Sequence, residues 1–118
     1  MNDPILQDLS KRVVEVYGML EAEFVIWSTS KNDTVEKIGK VMRHLAMIRS
    51  CDNPALFVFM ICKLPSDESV WRACFRKKGG TTENIDTKRE RTCQLVKSII
   101  KDGEAFLETK VAPKSTKS

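Results

Sequence analysis

Glycine and proline are scarce in this chain of 118 residues, at 5 and 4. That scarcity argues against a sandwich or barrel of strands, which needs a break roughly every ten residues. There is a single histidine, His44, so no pair of imidazoles can hold a metal. The four cysteines, Cys51, Cys62, Cys74 and Cys93, include no CxxC pair. They read as reduced core or boundary residues. No apolar run approaches bilayer-spanning length; the longest, Pro54 to Cys62, suits a buried central helix. Asp3, Asp8 and Lys11 interrupt the first turns, so an export signal is not expected, and the reading is an intracellular, soluble chain with no membrane partner. Catalytic patterns are also lacking. No GxxxxGK[ST], GxGxxG or GxSxG occurs. Gly79-Gly80 follows Lys77-Lys78 without the strand that a phosphate cradle needs, and reads as a helix stop. His44 could serve as a general base, but its place between Arg43 and Leu45 fits a boundary residue better. The expectation is a non-enzymatic protein with no cofactor, metal or small-molecule substrate.

What is present is hydrophobic content of 42% arranged at helical spacing. Asp3 and Pro4 read as an N-cap and a first helical residue. From there Leu6, Leu9, Val13, Val16, Leu20, Phe24 and Trp27 form one stripe of about six turns. The end of that stripe, Phe24 to Trp27, also suits a strand. Ser28 to Asn32 reads as a loop. Asp33 and Glu36 make an acidic capping box for a second helix reaching about Arg49, with Val35, Ile38, Val41, Met42, Leu45 and Ile48 inward. Asn53 and Pro54 open a third helix, apolar almost all round and therefore central. Ser66 caps a fourth, which carries Val70, Trp71, Cys74 and Phe75 and finishes in Arg76-Lys77-Lys78. The fifth runs from about Thr82 to Thr109, with Ile85, Val96, Ile99, Ile100, Phe106 and Leu107 inward. Its charged first half is expected to stand proud of the core or fray, and Gly103 reads as a soft point. The expected fold class is all-α: a single-domain, right-handed bundle of about five helices over residues 1–111, with 112–118 a flexible tail.

Net charge is +4, distributed unevenly. Between Val70 and Lys101, nine basic residues stand against Glu83, Asp86 and Glu90, giving +6 and leaving −2 for the rest. Three readings follow from that stretch. Cations beside an apolar anchor such as Phe75 would receive an acidic, disordered peptide. Alternatively Arg72, Arg76, Lys77, Lys78, Lys88, Arg89 and Arg91 would neutralise nucleic-acid phosphates, although residues 76 to 101 contain no aromatic residue for stacking. The third is a solvated helix face with no partner. Trp27 and Trp71 occupy inward positions, where core packing is the default, but Trp27 lies beside a loop and could line a groove.

The succession of helices resembles the N-terminal (LW) domain of transcription elongation factor TFIIS and the related integrase-binding domain. The likeness is carried by Val41–Ile48, by Trp71-Arg72-Ala73-Cys74-Phe75-Arg76-Lys77-Lys78 and by Cys93–Ile100, and covers about residues 3 to 110. The chain departs from the family where the last helix has Gly103 and Phe106 in place of a tryptophan, and at Arg72, where an apolar residue is usual. The resemblance implies a nuclear scaffold binding short disordered motifs of transcription or chromatin factors. It places the binding surface on the loops joining the first two and the last two helices. Carried onto this chain, it implies Trp27 and Phe75 as an apolar floor, Asp33 as an acceptor for peptide backbone, and Arg76, Lys77 and Lys78 as a steering rim.

Overall fold

Asp3 accepts a hydrogen bond from the Ile5 amide at 2.8 Å and Pro4 supplies the first helical φ, so α1 begins there and runs Pro4–Trp27. The structure, a computed structural model, describes residues 3–29, 33–76 and 84–111. The Phe24–Trp27 segment is helical, and no strand occurs among the described residues. The buried stripe of α1 is Leu6, Leu9, Val13, Val16, Leu20, Glu23 and Trp27. Glu23 takes the inward place expected of Phe24, which is only partly buried.

The second helix, α2, spans Thr34–Ser50 and buries Thr34, Ile38, Val41, Leu45 and Ile48. The acidic capping box does not form. Asp33 makes no cap hydrogen bond and instead pairs with Lys37 at 3.3 Å. Asn53 caps α3, Pro54–Cys62, through the Leu56 amide at 3.0 Å. This helix is not enclosed as expected. Phe57, Val58 and Ile61 are buried, but Leu56 and Phe59 are 49% and 51% exposed.

The fourth helix, α4, is only Glu68–Arg72, capped by Asp67 instead of Ser66. It stops before the basic triplet because its next residues tighten: Cys74 N–H bonds to Trp71 O and Phe75 N–H to Arg72 O, both at 3.1 Å. That tightening accompanies the complete burial of Trp71, Cys74 and Phe75. The fifth helix, α5, spans Ile85–Phe106 and is followed by a π-helical turn, Leu107–Val111.

Packing places α5 against α1, α3 and α4, and α1 against α2, so α5 is the hub in place of α3. The result is an all-α, single-domain bundle. The charged first half of α5 does not fray. Lys88 reaches the buried Glu23 at 3.1 Å, Arg91 reaches Glu15 at 2.7 Å, and Thr92 is fully enclosed between them. Gly103 is no soft point either. It is buried where α5 crosses α3, and a Cβ there would lie 2.9 Å from Ile61 Cγ2.

Candidate functional site

The loop ends that the resemblance singles out do meet. Arg76 leaves the turn after α4 and crosses to α1 and α2. Its Cζ lies 5.6 Å from the centroid of the Trp27 ring, and its Nη1 donates to Thr34 Oγ1 at 3.4 Å. The turn is pinned from α5, where Arg89 donates to the Phe75 carbonyl at 2.5 Å and pairs with Asp86 at 2.6 Å. Side chains from α1, α2, the post-α4 turn and α5 therefore share one end of the bundle. Asp33, with its carboxylate 63% exposed, stands at the start of α2, where it lines a groove with Tyr17, Phe24 and Lys40. Lys77 and Lys78 lie outside the described residues.

Two of the expected roles are corrected. Phe75 is 1% exposed and belongs to the core. Burying such a ring contributes about 2 to 3 kcal/mol, which presenting it to a partner would forfeit. Trp27, at 6% exposure, is likewise a buried wall and not an open floor. Its edge is another matter. The indole Nε1–H is enclosed and has no hydrogen-bond partner among the described residues. An unpaired buried donor costs about 1 to 3 kcal/mol. Trp71 provides the contrast: its Nε1 donates to the Pro65 carbonyl at 2.8 Å. Arg76 is the cation beside the orphan donor, exposed and with no carboxylate partner among the described residues.

Most of the remaining described cations of the basic stretch are engaged inside the molecule; Lys101 is exposed and makes no ion pair among the described residues. Arg72 bridges Glu90 at 2.7 Å and Glu68 at 3.1 Å, and Lys97 also pairs with Glu68. Lys88, Arg89 and Arg91 hold Glu23, Asp86 and Glu15. A positive run in sequence is thus largely compensated in space, partly by acids from α1. Besides Arg76 and Lys101, uncompensated cations also sit outside that stretch. On α2, Lys40 and Arg43 are exposed and form no ion pair among the described residues. With His44, Met47, Met60 and Lys63 they line a groove of about 340 Å³ between α2 and α3. His44 is the boundary residue expected, with Nε2 3.0 Å from the Met60 carbonyl. Sequence reading missed this face because no single stretch is rich in charge. The available signal was Lys40, Arg43 and Met47 at helical spacing opposite an α3 with no polar face to turn outward.

Burial pushes the Cys74 thiol up to about 12 and also raises Cys62 and Cys93, which keeps these sulfurs protonated and unreactive at neutral pH. Among the described residues no group of three histidine, cysteine or acidic side chains is placed to hold a metal ion, and no helix is long and apolar enough to cross a membrane. No protein family, curated protein or solved structure matches the chain.

Proposed function

We propose that the chain is a non-enzymatic helical interaction module that binds short, disordered acidic-hydrophobic motifs at the end of the bundle formed around Trp27, Asp33 and Arg76. The observation that carries this reading is the buried Trp27 Nε1–H, which has no partner among the described residues, in a ring whose centroid lies 5.6 Å from Arg76 Cζ. A peptide carbonyl or carboxylate would satisfy the donor once the groups that enclose it move aside, and Arg76 would steer a negative segment toward it. Asp33 makes no cap hydrogen bond, and its exposed pair with Lys37 would yield or be shared when the carboxylate accepts a backbone N–H from the same peptide. The likeness to the TFIIS N-terminal domain supports a nuclear setting, with transcription or chromatin factors as the source of the motif. Nucleic-acid binding by the basic stretch is the weaker reading, because Arg72, Lys88, Arg89 and Arg91 are already engaged with carboxylates.

The test is calorimetric titration of a synthetic peptide alternating acidic residues with leucine. Trp27→Phe keeps a smaller aromatic ring and removes the donor, and Arg76→Glu reverses the steering charge. Each is expected to weaken binding about tenfold, the equivalent of about 1.4 kcal/mol, while the helical circular dichroism stays unchanged. Unaltered affinity in both variants would refute the assignment.

A further inference from the structure

The face built by α2 and α3 has a charge pattern and an apolar exposure that the proposed site at the bundle's end does not use. Lys40, Arg43 and His44 follow one another at helical spacing on α2, with Met47 one turn further on. On α3, Met60 and Lys63 complete the groove. Lys63 lies 5.0 Å from the centroid of the Phe59 ring, so its ammonium extends the same face and keeps that ring beside it. Leu56, one turn before Phe59 and Met60, continues the apolar surface. Three full cations border the groove and no acid lines it.

Two features of this face point outward. First, α3 has no polar side to turn to water, yet Leu56, Phe59 and, on α2, Met47 remain 49%, 51% and 56% exposed. Large apolar side chains gathered on one face mark an interaction surface more often than scattered ones do. Second, among the described residues the cations Lys40 and Arg43 have no carboxylate paired with them, unlike most of the described cations of α4 and α5. Methionine at the floor suits an occupant of irregular shape, because the thioether side chain adapts without strain.

We propose that this α2–α3 face is a second docking surface, for an acidic peptide segment that seats one apolar side chain on Met47 and Met60 and pairs its carboxylates with Lys40, Arg43 and Lys63. Charge complementarity selects the occupant. A nucleic-acid backbone would satisfy the cations but leave the methionines and Phe59 uncovered. A peptide of alternating acidic and apolar residues satisfies both. The groove contains none of Trp27, Asp33 and Arg76; Lys40 and Arg43 also line, with Asp33, the neighbouring groove between α1 and α2, whereas Met47, Met60 and Lys63 do not.

The experiment measures fluorescence anisotropy of a labelled synthetic peptide of alternating glutamate and leucine with one phenylalanine. It is run in a Trp27→Phe/Arg76→Glu background, so that any contribution of the bundle's end is reduced at least about tenfold. Binding is expected to persist there. It is expected to fall about tenfold or more on adding Arg43→Glu with Lys40→Glu, and to weaken likewise on adding Met47→Glu. These three positions are exposed on the helix surface, and circular dichroism verifies that the variants fold. The proposal is overturned if the background protein does not bind the peptide, or if the charge reversals leave affinity unchanged. It is also overturned if a single-stranded RNA of matched charge binds the same residues more tightly. Sedimentation showing a dimer that Met47→Glu dissolves would assign the face to a second copy of the chain and overturn it as well.

Discussion

At Glu23 a carboxylate 1% exposed is held by Lys88 Nζ, which reaches it from α5 at 3.1 Å. Removing one partner of such a pair is far more damaging than removing both, because the survivor stays buried without compensation. Lys88→Met, which keeps the length of the stem, is expected to lower unfolding free energy in urea by about 3 kcal/mol. The double variant Glu23→Met/Lys88→Met should recover most of that loss. An equal or greater loss in the double variant would show that the pair itself stabilises the fold. Position 23 was legible in principle, since it falls between Leu20 and Trp27 on the inward stripe of the first helix. Hydrophobic spacing alone passes over it, because a buried acid identifies itself only through the partner it meets, sixty-five positions away in the chain. The orphan donor of Trp27 is the same kind of fact: the sequence supplies the indole, and only packing decides whether its N–H finds an acceptor.

Helices read from local signals were placed well where the signal was itself local. Asp3-Pro4 and Asn53-Pro54 start α1 and α3 where capping chemistry requires. The fourth helix departed from expectation because its length is set by tertiary burial of Cys74 and Phe75, not by the charges that follow them. The acidic box at Asp33 and Glu36 departed because the carboxylate of Asp33 pairs with Lys37 instead. The glycines divide in the same way. Gly39 on α2 has open space where a Cβ would go, whereas Gly103 on α5 meets the branched methyl of Ile61, which is itself fully buried. Gly39→Ala is expected to stabilise by about 0.5 to 1 kcal/mol through helix propensity. Gly103→Ala gains the same propensity but overpacks the crossing by about 1 to 3 kcal/mol, so its net effect is destabilising. Thermal denaturation of the two variants side by side checks the opposite signs. A rise in melting temperature for Gly103→Ala would mean that α3 and α5 separate more easily than the contact implies.

At the scale of the molecule, charge is organised by pairing across elements. Glu68 is the clearest case. Hydrogen bonds from Lys97 and then Arg72 hold its carboxyl below the ordinary value of 4.5, and Asp67 is lowered by the Ser69 backbone N–H at the start of α4. Folded carboxyls with depressed values stabilise the protein above their unfolded pKa, and that contribution is lost as pH falls through the folded pKa. Melting temperature is therefore expected to drop on acidification below about pH 4.5. The drop should be shallower in Glu68→Gln; identical acid limbs would remove Glu68 from the account. The same pairing explains why the positive run between Val70 and Lys101 misleads as a binding signal. Linear charge counts ignore Glu15 and Glu23 of α1, which the fold brings against Arg91 and Lys88. The helical class, the number of helices and most of the core could be read in advance, because they follow from spacing. The surface could not, because its free cations are those left after the fold has paired the others.

The proposed recognition at the bundle's end turns on one proton, the Nε1–H of Trp27. In a nitrogen-edited NMR titration with the acidic-leucine peptide, the Trp27 indole resonance is expected to move downfield as it gains an acceptor. The Trp71 resonance, already bonded to the Pro65 carbonyl, should stay in place. Peptide binding that leaves the Trp27 indole signal unmoved would contradict the assignment of the bundle's end as the recognition site.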